Sequence, residues 1–183
     1  MIQKERVRWK QNFYLHNYWQ FWGAVLYFLS YQCKDNCKLY AMQFLSYLFY
    51  IAHFIILGAL TGGLSYILNL ARSLFLASKW EFARSNKMCV ILCSMQGIVA
   101  ITTWAGWISL LPICANIAST IGGYTHNAQK IRIAGMFFNS PLWIIYDLII
   151  GSWAGAIDEL ASIISAMISI RRYGWKNLNQ IDD

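Results

Sequence analysis

The chain has 183 residues, of which 58% are hydrophobic and 16% aromatic, while only 13% carry a charge. A water-soluble domain carries roughly 25% charged residues; about half that supply cannot coat a surface facing water, so a soluble globular domain is excluded. The net charge of +7 does not mark nucleic acid as a partner, because the basic residues cluster between apolar runs, as juxtamembrane charges do.

Residues 1–15 form a basic tail, with Lys4, Arg6, Arg8 and Lys10 among Trp9, Phe13 and Tyr14. Together with Tyr18 and Trp19, these aromatic side chains suit the membrane–water interface. No small-residue cleavage site follows the apolar stretch, so a removable signal peptide is not expected. Apolar runs then predict spans at 16–33, 39–58, 61–78, 88–105, 107–124, 131–150 and 153–170. Lipid offers no partner for an exposed backbone N–H, so the spans must be helices. Several approach the lower length limit for crossing a hydrocarbon core about 30 Å thick.

The breaks between spans alternate in kind. Those at 58–63, 105–107 and 151–155 are short and uncharged, whereas 33–38, 79–87 and 125–132 are longer and basic. With seven spans, the side of the C-terminus collects Lys34, Lys38, Lys79, Arg84, Lys87, Lys130, Arg132, Arg171, Arg172 and Lys176. Positive residues stay cytoplasmic, which predicts the N-terminus outside and the C-terminus inside. The basic tail pulls the other way: a first span lying in the interface would leave six crossings with both ends inside.

A shift of 93 positions lays residues 45–63 on 138–156, placing Leu57 on Ile150, Gly58 on Gly151 and Gly62 on Gly155, with Tyr31 on Tyr124 further out. This divides the chain into a first three-helix unit at 16–78, a loop and linking helix at 79–106, a second unit at 107–170 and a polar tail at 171–183. Two units separated by one helix run parallel, an architecture of transporters with the solute site between the halves. Polar stripes fall at equivalent places. Ser65, Asn69 and Arg72 share one helix face, as do their partners Asp158, Ser162 and Ser165; Ser46, Tyr50 and His53 answer to Asn139, Trp143 and Tyr146. Ionisable groups at mid-membrane must turn away from lipid, so these stripes are expected to meet where the units face each other.

The run HFIILGALTG at 53–62, followed by Asn69 and Arg72, resembles the YgjV-like bacterial inner membrane proteins. So does SPLWIIYD at 140–147, followed by Gly151, Ser152 and Glu159. The resemblance spans roughly 19–172 and implies an all-α protein of the bacterial inner membrane. That family is similar in layout to the SWEET and PQ-loop proteins, 3+1+3 carriers of sugars or amino acids and related transporters. Such carriers flex at prolines in the first and second helices of each unit. Here Pro112 and Pro141 of the second unit are the candidate hinges, while the first-unit positions hold Trp19 and Leu48, and a Pro-Gln pair is lacking.

These readings assemble into a carrier of a small polar solute that rocks one unit against the other, with His53, Asn69, Arg72, Asn139, Trp143, Tyr146 and Asp158 as candidate substrate-binding residues. His53 reads either as a proton relay or as a buried histidine bonded to a neighbouring helix. Arg72 is expected to pair with Asp158 or Glu159, as a fixed lock or as an ion pair that opens when solute enters. The alternative function is a non-transporting scaffold or assembly factor whose polar interior is structural. The pairs Gly58–Gly62 and Gly151–Gly155 mark close helix packing, within a unit or between protomers of a homodimer. Cys33, Cys37, Cys89 and Cys93 lack the tight ligand loops of a zinc site. No metal or cofactor is expected. Nor is an enzyme: no nucleophile motif is present, and Ser46 and His53 lie about 10 Å apart along one helix.

Overall fold

The computed structural model describes residues 2–179, and for 2–16 the backbone alone. The side chains of Lys4, Arg6, Arg8, Trp9, Lys10, Phe13 and Tyr14 therefore lie outside the described residues, as do residues 180–183 of the polar tail. Seven helices follow one another: α1 (Ile2–Tyr31), α2 (Asn36–Leu57), α3 (Leu60–Ala77), α4 (Asn86–Thr102), α5 (Trp107–Gly123), α6 (Ala128–Ile150) and α7 (Trp153–Tyr173). No strand occurs among the described residues. Three helices, α2, α6 and α7, are both long and apolar enough to cross a membrane, and α4 and α5 are shorter apolar helices. The 18-residue α3 carries Asn69 and Arg72, with Thr61, Ser65 and Ser73, among its apolar residues.

The helix ends are set by local chemistry. Asp35 caps α2 by accepting from the backbone N–H groups of Cys37 and Lys38, Ser85 caps α4 through Met88, and Asn127 caps α6 through Gln129 and Lys130. Gly58 and Gly151 stop α2 and α6 in the left-handed conformation, at φ 76° and 79°, where a side chain would clash. The following residues also match, Ala59 at φ −86°, ψ 79° and Ser152 at φ −86°, ψ 71°.

The two chain segments keep different offsets. Leu57 and Leu60 stand 93 residues before Ile150 and Trp153, but Tyr31 and Asn36 stand 92 before Gly123 and Ala128. The extra residue is absorbed by a π-turn at Gly135–Asn139 inside α6. This corrects the pairing of Tyr31 with Tyr124, whose counterpart is Gln32, and moves the counterpart of Pro112 from Trp19 to Gln20. The π-turn has a cause in Pro141, which lacks an N–H and crowds the carbonyl four residues back; widening the preceding turn relieves that crowding. Pro112, by contrast, sits in the first turn of the regular α-helix that begins at Leu110, where a missing N–H costs nothing. It is not the interior kink that a hinge requires.

Packing closes six helices into a ring in the order α1, α2, α3, α5, α6, α7 and back to α1, with α4 outside against α3 and α5. Gln96 fastens α4, donating to the Ser65 carbonyl at 3.4 Å. One glycine of each pair packs closely within this ring. Gly62 lies so close to the Phe54 ring that a Cβ would stand 2.9 Å from it, and Gly155 lies likewise against the Asp147 carboxylate. The distribution of side chains is the reverse of a soluble protein's. Ile55, Val90, Ile101, Trp153 and Ile157 are exposed, whereas Ser46, His53, Ser65, Asn116, Arg132 and Ser169 are wholly buried.

Candidate functional site

The ring encloses an aromatic centre. Trp143 of α6 packs at a tilt against Tyr66 of α3, ring centroids 4.7 Å apart, and meets Phe54 of α2 at 5.6 Å and Tyr146 at 5.4 Å, the last edge on. Polar bonds join the helices around it. Asn116 of α5 is the node: its Oδ1 accepts from Asn69 Nδ2 at 2.8 Å and from Trp143 Nε1 at 3.2 Å. Asn69, Trp143 and Tyr146 are thus brought together as the stripes predict, through a residue the sequence reading passed over. Its signal was there, since Asn116 and Thr120 are spaced for one face of α5.

The other candidates go elsewhere. His53 shares a 3.1 Å hydrogen bond with Ser152 at the start of α7. Asn139 closes the π-turn by donating to the Ala115 carbonyl of α5 at 3.0 Å. Asp158 accepts from Gln20 of α1 at 2.8 Å and from the Tyr50 hydroxyl at 2.5 Å, both through Oδ2. Glu159, next to it, turns instead toward Ser140 of α6.

Arg72 does not pair with Asp158 or Glu159. Its Nη2 donates to the Tyr47 hydroxyl at 2.9 Å and its Nη1 reaches Thr120 Oγ1 at 3.5 Å. The Tyr47 hydroxyl in turn donates a hydrogen bond to Gln43 Oε1 at 3.3 Å. Tyr47 and Tyr50, one turn apart on α2 with ring centroids 6.3 Å apart, stand between the cation and the acid: one receives Arg72, the other binds Asp158. The expected ion pair fails because two bulky rings occupy the path that the helix-face argument left empty.

Beside Arg72 runs a narrow cleft of about 10 Å³, room for little more than one water molecule. Its walls are Tyr27 and Tyr31 of α1, Tyr40 and Gln43 of α2, Arg72 of α3, Ser119 of α5 and Ile131 of α6. Glycines admit the large rings: Gly123 lies against the Tyr40 hydroxyl and Gly135 against that of Tyr31. Of the candidate residues only Arg72 lines this cleft. A second buried arginine, Arg132, lies behind it and was read as a loop charge because it falls close to a helix end. Its guanidinium donates to the carbonyls of Ala128, Tyr31 and Cys33 and to Ser169 Oγ, all at 2.9–3.0 Å. It ties the end of α1 to α6 and α7.

An outer surface of isoleucine, valine and tryptophan around a buried polar network, on helices of membrane-spanning length, defines an integral α-helical membrane protein. The bacterial inner membrane protein family Imp-YgjV matches residues 14–177, and the chain belongs to that family. It is 27% identical over 124 residues to the inner membrane protein YgjV of Escherichia coli (strain K12), a stretch covering 68% of this chain and 64% of that relative. No solved structure matches the chain. The protein is accordingly placed in the bacterial inner membrane.

Proposed function

We propose that the protein carries a small polar solute across the inner membrane by alternating access between two parallel three-helix units, α1–α3 and α5–α7, linked by α4. The observation that carries this reading is the incompletely paired polar interior enclosed by helices of both units. A purely structural interior would be fully paired, whereas here Arg72 Nε, Asn116 Nδ2, Asp158 Oδ1 and Glu159 Oε2 are buried without hydrogen-bond partners among the described residues. The paired geometry at Gly58 and Gly151, the paired close approaches at Gly62 and Gly155 and the closed ring support two related units. In that ring α1 meets α7 as α5 meets α3. Rocking needs seams of modest size between units that are firm within themselves, and each unit's own helices meet along their length.

The reading includes seven crossings, with the N-terminus outside and the basic loops cytoplasmic, and assigns no enzymatic step. Reporter fusions at the two ends test the orientation. The carrier reading is tested by reconstituting the protein in liposomes and following uptake of an isotope-labelled bacterial metabolite extract by mass spectrometry. Saturable uptake of one solute class, lost in Trp143→Ala, is the expected result. Absence of flux for every component, in liposomes where the protein is folded and unidirectionally inserted, favours a scaffold instead.

A further inference from the structure

We propose that Asp147, Asp158 and Glu159 form a proton-binding site inside the bundle, and that the proton is the ion coupled to transport. The binding claim stands on the three acids and their neighbours; the coupling claim rests on the carrier reading. Asp147 is 2% exposed and the other two 5%. They lie close together: Asp158 and Glu159 are adjacent on α7, and the Asp147 carboxylate of α6 lies against Gly155, one turn before them. Among the described residues no lysine or arginine faces them. The titratable side chains that do are Tyr27 and Tyr31 of α1, Tyr47 and Tyr50 of α2, Tyr66 of α3 and Tyr146 of α6. His53 of α2 approaches through Ser152. Arg72 is held behind Tyr47 and Tyr50, and Arg132 at the end of α1.

Three carboxylates without an opposite charge do not stay ionised together in a membrane interior; carboxyl groups sharing a buried site hold protons between them instead. The hydrogen bonds leave places for those protons. Both donors to Asp158, Gln20 Nε2 and the Tyr50 hydroxyl, go to Oδ2, while its Oδ1, Glu159 Oε2 and Asp147 Oδ1 have no partner among the described residues. A neighbour outside the acid group asks for a proton as well. Gln20 is 4% exposed and its amide is fixed against Asp158 at 2.8 Å, yet its carbonyl oxygen Oε1 has no donor. A proton on Oδ1 makes the two side chains complementary, the amide N–H donating to Oδ2 and the acid O–H to Oε1. Turning the amide over sets its oxygen against Oδ2, and that contact again needs a proton between the two oxygens.

A metal ion fits this arrangement less well. Asp158 is turned toward α1 and α2 and Glu159 toward Ser140 of α6, so their oxygens do not converge on one point as ligands of a cation do. The proton also has a way in. The Ser152 hydroxyl, bonded to His53 at 3.1 Å, and the Asp147 carboxylate both lie against Gly155, and Ser152 stands in the turn between α6 and α7 at the end of the bundle. Loading is a plain transfer: a carboxylate oxygen takes H⁺ from hydronium and leaves water, and release is the reverse.

The test is infrared difference spectroscopy of the full-length protein in phosphatidylcholine nanodiscs as the pH is lowered, read at the carbonyl stretch that only a protonated carboxyl gives. A band that moves in deuterium oxide and is lost or weakened in Asp147→Asn, Asp158→Asn and Glu159→Gln is expected. The amides keep an oxygen for the bonds from Gln20, Tyr50 and Ser140, so the melts of Asp158→Asn and Glu159→Gln should stay near the parent's. Tyr50→Phe leaves all three acids and removes one donor to Asp158, so it should shift the band without abolishing it. Glu81→Gln, at an exposed position, should leave it unchanged. A band that survives undiminished in all three folded acid variants, or no band in the folded parent, overturns the site. So does a band bleached when sodium chloride replaces choline chloride at constant pH, which marks a sodium site instead.

Liposome flux of the labelled metabolite extract, with and without an inward proton gradient, keeps the two claims apart. One pH unit should hold the carried solute at up to about tenfold excess inside, and Asp158→Asn should collapse that excess. Protons bound without flux of any component overturn the carrier and leave the site. Flux that ignores the gradient overturns the coupling; in a protein lacking the band it overturns the site and leaves the carrier.

Discussion

Arg72 and Arg132 lie buried in the same bundle, and among the described residues neither has a carboxylate beside it. Arg132 is surrounded by oxygens, three backbone carbonyls and the Ser169 hydroxyl, all at 2.9–3.0 Å. Arg72 has two hydroxyls, one of them at 3.5 Å, and a cleft. The difference teaches that burial alone does not fix how a cation is held. What separates the two arginines is whether the donors are already used.

The largest effect should come from Arg132→Gln. It removes charge-assisted bonds to the carbonyls that end α1, and bonds to a charged donor contribute about 1.5–3 kcal/mol each, so a loss on the order of 3 kcal/mol is expected in chemical unfolding. Arg72→Gln should cost under about 1 kcal/mol, because a poorly compensated buried charge is removed along with its bonds. Equal losses at the two positions would break the contrast. Asn116→Ala sharpens it from the other side of Arg72, since the node leaves Asn69 and the Trp143 indole unpaired; a loss of about 2 kcal/mol is expected.

Next come the glycines that let each unit close. In Gly155→Ala the new Cβ would stand 2.5 Å from an Asp147 oxygen, and in Gly62→Ala 2.9 Å from the Phe54 ring; both should lower the melt by the equivalent of about 1–3 kcal/mol. If only one of them matters, the two units are less alike than their backbones suggest. The smallest number belongs to a double-mutant cycle between Arg72→Ala and Asp158→Ala. With Tyr47 and Tyr50 between them, the two changes should add to within about 0.5 kcal/mol. A larger coupling would restore the direct ion pair that the geometry denies.

Much of the site was legible as pattern. The stripe of Asn69 and Arg72 on α3 and that of Trp143 and Tyr146 on α6 do turn inward, because lipid penalises the alternative. The partners were not legible. Helical periodicity gives the direction of a side chain around its own axis but not which neighbour arrives there, so Arg72 was assigned to Asp158 rather than to Tyr47 and Thr120. Asn116 escaped notice because one asparagine in an apolar run has no local meaning until Asn69 and Trp143 converge on it. Arg132 escaped for the opposite reason: close to a helix end, a charge is ordinarily a solvated one.

By itself the sequence determined the medium and the elements. A charge content too low for water, apolar runs of helical length, and capping residues such as Asp35, Gly58, Asn127 and Gly151 act over a few residues and are written in order along the chain. Only the tertiary structure decided the one-residue slip at the π-turn, the tyrosine pair that separates Arg72 from Asp158, and the cleft left beside Arg72. Each of these depends on how far apart two helices settle, a distance fixed by the bulk of rings such as Trp143, Tyr66 and Phe54 and by the glycines that admit them. That balance of volumes is a property of the assembled ring and of no segment within it.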